Sequence, residues 1–155
     1  MSRYGSITYR THLIPKGVEE LIPAGIIEAQ RLFAPFLSQL LSEAGFTVVT
    51  ILESVAVDDL GRTEPQLVVI DIDFVEDDPV STIKLLHAVL PHATLCVYTG
   101  TVDEGFAQTL VRAGAQGVIT KLASPQEIVE AIRAALSNGS YVDRRIATTH
   151  LGNSP

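Results

Sequence analysis

Five short runs of aliphatic and β-branched residues punctuate the chain: 25-GII-27, 46-FTVVTIL-52, 67-LVVI-70, 94-TLCVY-98 and 117-GVIT-120. Nearly continuous apolar runs of this length are characteristic of parallel strands covered on both faces. Between them, apolar positions recur at helical spacing. Arg31 to Glu43 carries Leu32, Phe33, Phe36, Leu37, Leu40 and Leu41, and Ala44-Gly45 stops it. Pro35 marks a late start or a kink in that helix. Residues 55–60 predict a short, weak helix. Asp78-Pro79 predicts an N-cap and first turn, with Ile83, Leu86 and Leu90 as the stripe that follows and Pro91 as its end. Phe106, Leu110 and Val111 mark a fourth helix, ending at Ala113-Gly114. The clearest start is 124-SPQE-127, a capping box opening a stripe of Ile128, Ala131, Ile132, Ala135 and Leu136 that stops at Asn138-Gly139. The order is strand-helix five times, which predicts an α/β fold with a parallel sheet and helices on both faces. This unit occupies residues 23–142. Residues 1–22 lie outside the pattern as an N-terminal extension, although Ile7, Tyr9 and Leu13 alternate with polar residues and allow a short added strand. Residues 143–155 read as a polar tail or the start of a linker.

Composition narrows the class. The 155 residues suit one domain. A hydrophobic content of 46% with a mean hydropathy of +0.29 implies a substantial core. The net charge of -7 argues against direct nucleic-acid binding, which relies on excess Lys and Arg near phosphates. No apolar run approaches the roughly 18 residues of a membrane span, and the N-terminus lacks a signal peptide's apolar core. Cys96 is the one cysteine and reads as a buried, inert thiol. These features predict a cytoplasmic protein. His12, His87, His92 and His150 are scattered without metal-ligand spacing and receive no role.

The candidate chemistry lies where the apolar runs stop. In open α/β sheets, ligands bind beyond the carboxyl ends of the strands. Glu28, Asp71, Thr99 and Lys121 end the first, third, fourth and fifth strands on that one edge. Clustered carboxylates attract Mg²⁺, and a carboxylate can also attack phosphorus to give an aspartyl phosphate. A hydroxyl and an ammonium on neighbouring strands would then hold the phosphoryl oxygens. The stretch 71-DIDFV-75 resembles the first motif of haloacid-dehalogenase-type phosphatases, with Asp71 as nucleophile and Asp73 as general acid. That family needs a second acidic pair downstream of the lysine. The later acids Glu127, Glu130 and Asp143 form no such pair, and two strands precede the nucleophile where usually none does.

A second resemblance is closer. Residues 24–142 resemble the response-regulator receiver domains of the CheY-like superfamily, most of all the NarL/FixJ type. The resemblance rests on 28-EAQRLFAPFLSQLLSEAGF-46, 67-LVVID-71, 97-VYTG-100 and 113-AGAQGVITKLASPQEIVEAIRAALSNGSYV-142. The intervals of 28 residues from Asp71 to Thr99 and 22 from Thr99 to Lys121 are similar to the family's. The resemblance implies a flavodoxin-like (βα)5 doubly wound sheet of strand order 2-1-3-4-5, in two-component phosphorelay signalling rather than enzymatic turnover. It makes Asp71 the phospho-acceptor, Thr99 the switch hydroxyl and Lys121 the partner of the phosphoryl oxygens. It also implies Mg²⁺ as cofactor and a histidine kinase as partner. A homodimer face is expected along the last strand and helix, including Val118, Leu122 and the exposed side of 125–139, with Val129 as an interface candidate.

The chain departs from that pattern. The acid pair of the first strand is Glu28-Ala29, so one Mg²⁺ ligand is missing. Glu28, Asp71 and Asp73 are the metal candidates that remain, in a weakened or lost site. Mutual repulsion is expected to raise their pKa values. Phe74-Val75 and Pro79 stand where relatives carry Met-Pro and Gly, and 76-EDD-78 adds negative charge. Val118 replaces the switch aromatic; Tyr98, the nearest ring in sequence, reads as packing. Two readings follow: a pseudo-receiver recognised without phosphorylation, or a phosphorylatable receiver whose DNA-binding output domain lies outside this chain. Only 14 residues follow Tyr141, fewer than a helix-turn-helix domain needs.

Overall fold

The computed structural model describes residues 21–147. The expected added strand around Ile7–Leu13, together with His12 and His150, lies outside them. Six strands form one parallel sheet: β1 (Ile22–Ile27), β2 (Phe46–Leu52), β3 (Leu67–Asp71), β4 (Thr94–Thr99), β5 (Gly117–Thr120) and β6 (Tyr141–Val142). Five helices connect them: α1 (Ala34–Glu43), α2 (Val57–Thr63), α3 (Pro79–Val89), α4 (Glu104–Ala113) and α5 (Pro125–Asn138). The spatial order β2-β1-β3-β4-β5-β6 is the expected 2-1-3-4-5 with one strand added at its edge.

The pleat sorts the strand residues into two cores. On one face Ala24, Ile26, Leu67, Val69, Cys96, Tyr98 and Ile119 pack under α1 and α5. On the other, Ile27, Val68, Ile70, Leu95 and Val97 pack against Leu60, Ile83, Leu86 and Leu110 from α2, α3 and α4. Fully burying such a side chain contributes about 1.5–3 kcal/mol. β3 and β5 are buried along their whole length. β2 differs from the run expected to be covered on both faces. It is an edge strand of alternating burial, with Val49 36% and Ile51 48% exposed.

The caps follow the sequence. Asp78 accepts the Ser81 N–H at 2.9 Å, and Ser124 and Glu127 complete the capping box of α5. Gly139, at φ 76°, supplies the left-handed residue that ends α5. α1 starts late, at Ala34 with Pro35 in its first turn, and α2 runs later than expected, over Val57–Thr63. Cys96 is fully buried, and desolvation pushes its thiol up to about 12. Among the described residues, no helix is long and apolar enough to cross a membrane.

Residues 143–147, just beyond β6, do not lie free in water. Asp143 and Ile146, read from the sequence as part of a polar tail, are 2% and 0% exposed. Asp143 donates its N–H to the Val118 carbonyl at 3.0 Å and accepts the Arg145 N–H at 2.9 Å. The Arg145 guanidinium pairs with Glu127 at the start of α5. Ile146 thereby packs with Ala107 and Val118. This corrects one expectation: Val118 is fully buried and belongs to a core cluster, not to an interface. Leu122 remains 71% exposed.

Candidate functional site

Parallel pairing brings the strand ends to one edge. Ile27 lies opposite Ile70, Asp71 opposite Tyr98, and Thr99 opposite Thr120. One further residue along β1 and β5 places Glu28 and Lys121 beside the same cleft. Asp71 is 2% exposed. Its Oδ2 receives the Lys121 ammonium at 2.8 Å, and its Oδ1 accepts the N–H of Asp73 at 3.0 Å. That second bond caps a single 3₁₀ turn over Ile72–Phe74. Buried Ile72 anchors the turn, and the turn swings Asp73 across the sheet edge.

Asp73 stays 24% exposed at its side chain, yet its carboxylate is turned onto the strand edge. Its Oδ1 accepts the Thr99 hydroxyl at 2.6 Å. Its Oδ2 accepts the Gly100 N–H at 2.8 Å and lies 3.0 Å from Lys121 Nζ. Thr99 Oγ1 in turn accepts the Thr101 N–H at 3.0 Å, so the hydroxyl is held from both sides. Lys121 lies over the Phe74 ring at 4.8 Å and within 5.7 Å of the Tyr98 ring centroid. Tyr98 itself stacks on Phe33 at 5.6 Å, so its ring packs as expected.

Glu28 and Asp73 do not share one electrostatic fate. Burial, then a hydrogen bond to Asp71, pushes Glu28 up to about 7. Glu28 is 1% exposed; its Oε1 accepts the Gln30 N–H at 3.0 Å. Its buried Oε2 has no hydrogen-bond partner, so a proton on Glu28 itself relieves a buried charge. Asp73 moves the other way, against the expectation of mutual repulsion. Burial pushes it up, but the Thr99 hydroxyl, the Gly100 N–H and Lys121 together outweigh burial and hold it below its ordinary value. For Lys121, burial pushes down, but its bonds to Asp71 and Asp73 raise the pKa overall.

A cleft of about 170 Å³ opens beside Asp71, walled by Ala29, Glu53, Phe74, Glu76 and Asp77. Ala29 offers it no side-chain oxygen. Among the described residues, no three His, Cys, Asp or Glu side chains come together as a metal-binding group. The second acidic pair required by the phosphatase reading is also missing there. Glu127 caps α5, and Asp143 accepts from Arg145. Sequence reasoning brought Glu28, Asp71, Thr99 and Lys121 to one edge and named Asp73 only as a metal candidate. It missed Gly100, whose contribution is a backbone N–H that no side chain announces.

Residues 25–133 match the response regulator receiver domain family. The chain is 29% identical over 84 residues to the transcriptional activator protein ExaE of Pseudomonas putida, covering 54% of this chain and 39% of that one. It thus spans well under half the length of this curated relative. A two-component response regulator of the LuxR family from Aurantimonas sp. SI85-9A1 superposes with a TM-score of 0.72 at 21% identity, over 85% of this chain and 99% of that one. The isolated receiver domain of RcsB from Salmonella enterica serovar Typhimurium, solved with the phosphomimetic BeF3-, superposes at 0.71 with 15% identity, over 83% and 97%. With the family match covering most of the chain, and with these neighbours sharing the fold, the chain belongs to the response regulator receiver domains.

Proposed function

We propose that this receiver is a regulatory protein-interaction module of two-component signalling whose output does not depend on phosphorylation of Asp71. One observation carries the reading. The residue beside Glu28 is Ala29, and Asp73, the carboxylate expected to replace the lost ligand, has both oxygens committed to Thr99, Gly100 and Lys121. Receiver domains typically bind Mg²⁺ at an acidic site. Mg²⁺ demands near-ideal octahedral oxygen coordination. Here Asp71 is held by Lys121, and Glu28 is buried with its carboxyl pushed up to about 7. The donor set does not fit the ion. Glu76 and Asp77 on the cleft wall also repel an anionic phosphodonor, whereas Glu53 there is paired with Arg31.

Such a module works through its surface, in the cytoplasm, on a signalling protein such as a histidine kinase or on a second copy of itself. Exposed Leu122, in the turn before α5, and half-buried Val129 on α5 are apolar residues that such a partner could meet. A second reading is a phosphorylatable receiver that controls a DNA-binding domain beyond this chain. It is favoured by the contact of Lys121 with Asp71 and by the place of the relative ExaE among transcriptional activators.

Intact mass after incubation with Mg²⁺ and acetyl phosphate separates the two. The expected result is no gain in the wild type. A one-phosphoryl gain that Asp71→Asn abolishes would establish the second reading instead. Ala29→Asp, run alongside, reports whether the missing oxygen alone silences the site.

A further inference from the structure

Thr99, Gly100 and Lys121 come from the ends of two neighbouring strands, yet all three point at one carboxylate. An acid on a solvated loop has no need of such partners, because water satisfies it. Three donors of this kind, a hydroxyl, an amide N–H and an ammonium, form a cradle for a tetrahedral anion attached to Asp71. Lys121 bonds Asp71 Oδ2 at 2.8 Å, so a group carried on that oxygen would emerge among the same donors. They are already taken. Thr99 gives its proton to Asp73 Oδ1 at 2.6 Å, and Gly100 gives its N–H to Asp73 Oδ2 at 2.8 Å.

The placement is built rather than incidental. The Asp71 carboxylate holds the backbone N–H of Asp73 at 3.0 Å, and Ile72 between them is buried. The acceptor carboxylate therefore positions the residue that fills its own cradle. A carboxylate brings one negative charge and two oxygens, fewer than a phosphoryl group. It is covalently tethered two residues away, however, and competes at high effective concentration.

We propose that Asp73 is a built-in stand-in for a phosphoryl group. Seated between Thr99, Gly100 and Lys121, its carboxylate holds the switch hydroxyl inward and keeps this receiver in one signalling state. The inference rests on the receiver reading above and supplies its regulation. The position is occupied by the chain itself, so the surface is set without a kinase.

The test is nuclear magnetic resonance on the full chain: wild type, Asp73→Ala and Asp73→Asn, each with and without Mg²⁺ and beryllium fluoride. Without the anion, Asp73→Ala should move the Gly100 amide upfield and release Thr99 from a single side-chain rotamer. Asp73→Asn, which keeps an acceptor but no charge, should fall between. Unchanged dispersion elsewhere certifies that each variant folds. Beryllium fluoride should leave the wild-type Gly100 and Thr101 amides in place; any binding it shows should be at least tenfold tighter in Asp73→Ala. A Gly100 amide indifferent to Asp73→Ala overturns the proposal, as does equally tight anion binding by wild type and variant. If the anion binds neither protein, the anion-free spectra still decide. Acetyl-phosphate labelling of the wild type would instead strike at phosphorylation independence, and the amide shifts would not report it.

Discussion

Glu28 and Asp73 are two carboxylates at one strand edge with opposite shifts, and their effects on stability have opposite signs. The Glu28 carboxyl rises from an ordinary 4.5 to about 7 in the folded state. Its contribution is therefore complete below about pH 4.5 and is lost as pH rises through 7. In chelator, the denaturation midpoint should fall between pH 5 and pH 8. Glu28→Gln should flatten that slope and stabilise the protein at pH 8 by about 1–3 kcal/mol, because the glutamine amide donates where the carboxylate could not. A glutamine variant that kept the wild-type slope would place the titration elsewhere. The Asp73 contribution, with a depressed value, is present above its ordinary 3.8 and disappears only as pH falls below it. The sequence places Glu28 and Asp71 at one edge and offers Asp73 as a candidate beside them. It does not show which of them meets donors, since the donors at Asp73 are the Thr99 hydroxyl at the end of β4 and, after it, the backbone N–H of Gly100.

Among the elements, β5 is the tightest fit. A Cβ on Gly117 would stand 2.9 Å from Cys96 Sγ and 3.3 Å from the Ala135 Cβ, pinched between β4 and α5. Gly117→Ala should cost about 1–3 kcal/mol by overpacking, read as a lower urea midpoint. Adding Cys96→Ala should recover part of that loss through coupling between contacting sites. An unchanged midpoint in the single variant would show that the strand shifts freely. Strands β1 to β5 and their caps were legible because each has its own periodic or capping signal, as at Asp78 and Ser124. β6 was not: two half-buried residues carry no period, and their order comes from the β5 edge they join. Ile146 is likewise aperiodic, yet it seals Val118 and Ala107. Ile146→Ala should destabilise by about 2–5 kcal/mol in the same assay. A change within error would mean that the clasp is ornamental to the fold.

For the whole molecule, topology was the most legible level. Alternating strands and helices joined by right-handed crossovers leave few arrangements, and the receiver sheet is among them. What the alternation does not encode is the state in which the sheet edge is held. That depends on one 3₁₀ turn after β3 and on one clasp after β6. The clasp also gives the protein a temporal order. Residues 141–147 leave the ribosome after everything they cover, and domains fold largely as they emerge. Until Ile146 is out, the nascent sheet ends at β5 with open backbone groups and Val118 bare. Such an edge invites pairing with another chain. A chain cut just short of the clasp would therefore display an open strand edge and a bare apolar patch side by side, an invitation to a second copy that residues 141–147 withdraw.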